Sequence, residues 1–160
     1  MHEPIRITGV RARPVLVPFR LPPATASGAM TSAPLVLIDL ETDGGVTGRA
    51  YVFTFTPIAQ KSVVSMLQGV SSLVIGEALA PVELDARLRK RLTLIDTPGV
   101  VGLALAGLDM CAWDALAQAR GAPLAEVLGA TARPMRSYNS CGLGLQPVDR
   151  VADEAEALAA

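Results

Sequence analysis

Histidine occurs once in this chain, at position 2, and lysine only as Lys61 and Lys90. Cysteine is nearly as scarce: Cys111 and Cys141 lie far apart in sequence. A structural zinc site needs Cys and His ligands clustered at short spacing, so that class is excluded. A disulfide is disfavoured in a reducing compartment, and both cysteines read as small buried hydrophobes. Basic residues form no block that could track a phosphate backbone, and the net charge is −1, so nucleic acid is not an expected partner. No uncharged apolar run approaches the ~20 residues of a spanning helix, and no membrane partner is expected. The longest candidate, residues 35–40, is interrupted by Asp39 and has the length of a strand. The opening segment MHEPIRITG has no apolar signal-peptide core, which makes the cytoplasm the expected compartment.

What is present is a folding composition. Of 160 residues, 51% are hydrophobic and 18% charged, enough for one domain with a core, or one domain plus a fragment. Residues 5–17 read as a strand, and residues 20–33 as a long loop of small residues with no periodicity. Residues 34–41 and 46–53 read as two further strands. Thr42-Asp43-Gly44-Gly45 between them is a hairpin signal, because glycine supplies the positive φ of a tight turn. Thr56-Pro57 then pairs an N-cap hydroxyl with proline at the first helical position. Val63, Met66, Leu67, Val70, Leu73 and Val74 follow at helical spacing, and Gly76 is a natural stop. Pro81 opens a second helix with Leu84, Leu88 and Leu92 on one face. After Thr97-Pro98-Gly99 a third, longer helix runs to about Arg120, and a short fourth spans residues 123–128. Three antiparallel strands followed by a helical bundle define an α+β domain over residues 1–132. Residues 133–160 change pattern: residues 135–140 read as a strand, and Pro147 opens a helix with Val148, Val151, Ala155 and Leu158 on one face. A lone strand–helix unit cannot bury its strand, so exposed apolar surface and poor solubility are expected.

Asp109 and Asp114 lie five apart on the third helix, about 140° apart around its axis, so they share no face and do not form a paired-carboxylate acid–base site. They read as capping or ion-pairing groups for arginines such as Arg87 or Arg133, and Trp113 between them as a core aromatic.

The run ALAGLDMCAWDALAQARGAPLAEVLG at residues 104–129, with PLVLIDL, GGVTGRAYVF, TPIAQKS and EALAPVELDARLRKR before it, resembles the enolase superfamily, and more narrowly its mandelate racemase branch. The resemblance covers essentially the whole chain. It implies a capping domain over residues 1–132 and the first βα unit of a barrel over residues 133–160. It also implies enzymes that use Mg²⁺ to acidify the α-proton of a 2-hydroxy carboxylate or acid sugar, as dehydratase or racemase, in a homo-oligomer. The base and the metal ligands of such enzymes sit at the ends of later barrel strands. No catalytic and no metal-binding residue is therefore assigned here, and the chain by itself is expected to bind no Mg²⁺ and to be inactive.

What the resemblance leaves to this chain is substrate enclosure by two loops. It assigns Pro23, Thr25, Ser27 and Met30 in the first, residues 21–32, and Phe55 in the second, residues 51–57. The racemase that gives the branch its name has a tyrosine where Phe55 stands, so a hydroxyl is missing and mandelate is a doubtful substrate. Ser140, at the end of the first barrel strand, matches a serine that binds the substrate carboxylate, and a hydroxyl there can donate to a carboxylate oxygen. Two rival readings are a stand-alone binding or structural module and one chain of a split enzyme.

Overall fold

A computed structural model describes residues 3–20, 22–25, 28–137 and 147–159, with the backbone alone at Thr25. In chain order the strands are β1 (Ile7–Pro18), β2 (Ala24–Thr25), β3 (Gly28–Ala29), β4 (Ser32–Thr42) and β5 (Thr47–Phe53). The helices are α1 (Pro57–Val74), α2 (Pro81–Arg91), α3 (Gly99–Arg120), α4 (Leu124–Val127) and α5 (Val148–Ala159). The chain divides into two compact units. One holds Met1–Val15 with Pro34–Ala132, the other Leu16–Ala33 with Arg133–Ala160.

The first unit is the expected α+β fold. Its antiparallel sheet has the order β1-β4-β5, with Leu35 opposite Phe53 and Glu41 opposite Thr47 in the β4–β5 hairpin. Strand alternation puts Val36, Ile38 and Leu40 of β4 wholly inside, while Asp39 and Glu41 point to the other face. There Asp39 lies 3.7 Å from both Arg13 and Arg49, and Arg11 pairs with Glu41 at 2.6 Å. Solvent-facing pairs of this kind contribute at most about 1 kcal/mol each, so they mark the wet face rather than hold the sheet. The hairpin closes as the glycines predict: Gly45 has φ 76, and Asp43 exchanges two hydrogen bonds with the Arg6 backbone at 2.7 and 3.0 Å.

The inner face is covered by α1, α2 and α3. In α1, Val63, Leu67, Val70 and Val74 are buried at alternating three- and four-residue spacing, each fully buried side chain of this size contributing roughly 1.5–3 kcal/mol. Thr56 caps the helix, its hydroxyl accepting the Ile58 N–H at 3.4 Å, with Pro57 just inside as the sequence implies. The central helix is α3, which packs chiefly on β5 and also touches α1 and α2. By length and composition α3 could cross a membrane, but it carries Asp109 and Asp114, and its buried residues face this core.

Small residues let α3 lie close to the sheet. A Cβ added at Gly48 of β5 would overlap the Cys111 carbonyl oxygen and come within 2.9 Å of Ala115. One added at Gly107 would overlap the Ile38 side chain and meet Val52 at 3.0 Å. Cys111 itself is wholly buried, its Sγ 3.4 Å from the Ile38 carbonyl oxygen, and burial pushes its thiol up to about 12. It stays neutral at physiological pH and acts as a small hydrophobe, as expected; Cys141 lies outside the described residues.

In the second unit, the residues expected to be a structureless loop contain a small ladder. Ala24 pairs with Ala29 and Thr25 with Gly28, Met30 N–H donates to Pro23 at 2.9 Å, and Phe19 N–H donates to Thr31 at 3.1 Å. Two-residue strands are too short to show a period, so the sequence carries no sign of them. Helix α5 begins after Pro147 as expected, with Val148 89% exposed. Residues 131–137 form no regular structure, so the part of the expected 135–140 strand that is described is not a strand. A strand exists only when paired, and none of the described residues pairs with this segment.

Gly48→Ala is expected to cost roughly 1–3 kcal/mol or more, because its neighbour is helix backbone that cannot rotate away. Gly69→Ala, with nothing within 4 Å of its Cβ, should instead stabilise by about 0.5–1 kcal/mol. Urea denaturation of the two variants would show opposite shifts; shifts of the same sign would contradict this packing.

Candidate functional site

The corner between β5 and α1 is built from Thr54, Phe55 and Thr56. Thr54 is only 3% exposed. Its N–H donates to the Pro34 carbonyl at 2.9 Å, and its hydroxyl proton is shared between that oxygen at 3.1 Å and the Thr56 carbonyl at 3.0 Å. With Thr54 held inward, Phe55 is turned outward, 69% exposed and with φ 60. A bulky residue in the left-handed region costs roughly 1–3 kcal/mol and persists only where its surroundings fix it; such residues cluster at functional positions. The Phe55 ring meets Phe53 edge to face, centroids 4.6 Å apart. Tyr51, Phe53 and Phe55 are half of the aromatic residues in a chain that is only 4% aromatic.

Of the remaining expected positions, Pro23 is exposed and Met30 half-buried beside the β2–β3 ladder. Thr25 pairs through its backbone with Gly28, whose φ of 114 suits glycine. Ser27 and Ser140 lie outside the described residues.

Sequence reasoning passed over Gln60. It is 6% exposed, and its Nε2 donates to Val15 and to Leu35, each at 2.8 Å. The signal was available: Gln60 occupies the same buried stripe of α1 as Val63, Leu67, Val70 and Val74, and a polar residue in that phase must find partners.

The two aspartates of α3 do separate work, as their angular spacing requires. Asp114 accepts the Arg49 N–H at 2.8 Å and Gln118 Nε2 at 2.7 Å, and Gln118 also donates to Thr47 at 3.0 Å. Together they close the outer edge of β5. Asp109 faces α2 at an apolar crevice that also holds Asp85, and it accepts a hydrogen bond from Trp113. Arg87, expected as a partner for one of them, instead pairs with Glu77 at 2.7 Å. No three His, Cys, Asp or Glu side chains converge among the described residues.

Residues 7–129 match the family model described as mandelate racemase / muconate lactonizing enzyme, N-terminal domain, and the chain belongs to that family. It is similar to an enolase from Bradyrhizobium solved with magnesium and mandelic acid, at 44% identity and TM-score 0.80, over 84% of this chain and 37% of that one. It is also similar to an enolase from alpha proteobacterium BAL199 with bound magnesium, at 39% identity and TM-score 0.90, over 96% and 42%. The L-talarate/galactarate dehydratase of Salmonella typhimurium LT2 shares the fold, at 20% identity and TM-score 0.84, over 96% and 41%. The chain thus spans about two fifths of the length of these solved relatives.

Asp109 gives a test of the electrostatics. Burial raises its carboxyl above the ordinary 3.8, Asp85 adds to this, and Trp113 and Arg89 oppose it. Above 3.8 the folded chain therefore holds this proton more tightly than the unfolded one, and stability falls as pH rises through the window up to the raised value. Asp109→Asn removes that titration and keeps an acceptor for Trp113. Thermal melts should show no gain for the variant below 3.8 and a gain that grows toward neutral pH. A difference independent of pH would contradict the assignment.

Proposed function

We propose that the chain is the substrate-enclosing part of a magnesium-dependent enzyme acting on a 2-hydroxy carboxylate or acid sugar, a dehydratase or racemase. Residues 1–132 form its capping domain, and residues 133–160 the first unit of its barrel. The observation that carries this reading is Phe55: an exposed aromatic held in a costly backbone conformation by a buried threonine, in a chain of the mandelate racemase family. The ring stands largely exposed, and contact with the substrate accounts for the cost of its backbone conformation.

Phe55 supplies a water-excluding wall, Pro23, Thr25, Ser27 and Met30 belong to the companion loop, and Ser140 donates to the substrate carboxylate. Magnesium, found with the Bradyrhizobium and BAL199 enolases, supplies electrostatic stabilisation of charge developing on a substrate oxygen. The proton-abstracting base and the metal ligands belong to barrel strands beyond the first unit. The intact enzyme acts as a cytoplasmic homo-oligomer, and the 160 residues alone are inactive.

A chimera tests this directly: the chain replaces the corresponding segment of the Bradyrhizobium enolase. Magnesium-dependent deuterium exchange at the α-carbon is then followed by NMR across mandelate and a panel of acid sugars. The chimera should exchange at least one of them, and the isolated chain none. Phe55→Ala in the chimera should raise KM about tenfold with a smaller change in kcat, the pattern of lost ground-state binding. Exchange by the isolated chain, or a folded chimera inert toward the whole panel, would overturn the proposal.

A further inference from the structure

The segment Leu16–Ala33, made of the end of β1, the long loop and the start of β4, follows Val15 and precedes Pro34 and Leu35. Both of its stems are held by one short segment, residues 54–60. Thr54 donates to the Pro34 carbonyl through its N–H and hydroxyl at 2.9 and 3.1 Å. One turn into α1, the Gln60 amide donates one hydrogen to Val15 and the other to Leu35, each at 2.8 Å. Two carbonyl oxygens at that distance demand the NH₂ end of the amide, since its oxygen would be repelled by both. The amide is almost completely buried, so its loss would remove two hydrogen bonds from a place shielded from water. Between these contacts sit Phe55 and the Thr56 cap of α1.

We infer that Gln60 is a positioning residue for the long loop: with Thr54 it fixes the two stems, Val15 on one side and Pro34 and Leu35 on the other, from which the loop is mounted. The functional consequence rests on the proposed role of these loops, but the clasp itself can be tested without any substrate. Two amides inside the loop report its order, Phe19 bonded to Thr31 and Met30 bonded to Pro23. Amides of the β4–β5 ladder, such as that of Val52, report the core.

Hydrogen exchange followed by NMR on the 160-residue chain separates the two. Gln60→Met, similar in length and without donors, should speed exchange at Phe19 and Met30 about tenfold more than at Val52. Thr54→Val should act in the same direction from the other stem. Gln60→Glu supplies a signature that a purely structural side chain lacks. Protonated, it keeps one donor, whereas ionised it faces two carbonyls, so loop exchange corrected for intrinsic rate should accelerate with rising pH in this variant and not in the wild type. If Gln60→Met does not fold, the other two variants carry the test. Equal acceleration of loop and core amides, or exchange in Gln60→Glu that ignores pH, would overturn the inference. Either result would leave the enzymatic proposal standing, since that is read by α-carbon exchange.

Discussion

The distance between α3 and the sheet sets the rest of the first unit. At Gly48 the helix backbone occupies the space where any other residue would carry its Cβ, and at Gly107 the Ile38 and Val52 side chains fill the equivalent space from the sheet. A helix lying this close can reach the β5 edge with side chains as short as Asp114 and Gln118. It can also offer Asp109 to the crevice beneath α2 and a base on which α1 rests. Because α1 starts where the Thr54 corner ends, the seating of α3 fixes where that corner stands. Two glycines and a run of alanines thus govern the placement of residues with which they share no chemistry.

The corner divides its labour between neighbours in sequence. Thr54 is buried, fully hydrogen-bonded and conformationally ordinary; Phe55 is exposed and strained. A β-branched residue extends the strand and directs its hydroxyl back to Pro34, which leaves the next residue to turn the chain. Turning it with phenylalanine rather than glycine sacrifices stability for a ring at a defined place. The Phe53 ring behind it restricts the rotamers available to that ring.

Most of the first unit was legible in the sequence because its determinants are local. Gly44-Gly45 announced the hairpin, Thr56-Pro57 the start of α1, and the three–four spacing of Val63, Leu67, Val70 and Val74 its buried face. The spacing of Asp109 and Asp114 ruled out a shared site, and it offered Trp113 and Gln118, each four residues further along α3, as their neighbours; Arg49 could not be read, since it reaches Asp114 through tertiary packing. The β2–β3 ladder was invisible because two residues cannot display a period. Phe55 was legible only through family resemblance, and its backbone strain not at all: nothing in the letters Thr-Phe-Thr-Pro says which residue will turn left-handed. Gln60 was legible in principle, as a polar residue in an apolar phase, but its partners lie on two strands far away in sequence.

The Asp114–Gln118 pair occupies the place where a fourth strand would add to the sheet. Arg49 and the aspartate that satisfies its N–H are 65 residues apart. At a synthesis rate of 5–20 residues per second, the β4–β5 hairpin waits roughly 3–13 s on the ribosome before that carboxylate exists. Through that interval the nascent hairpin presents an open hydrogen-bonding edge beside the apolar Tyr51 and Phe53, and neighbouring nascent chains on one message carry the same edge. For this chain the hazard of misassociation lies early in its biogenesis, and it closes when the middle of α3 emerges.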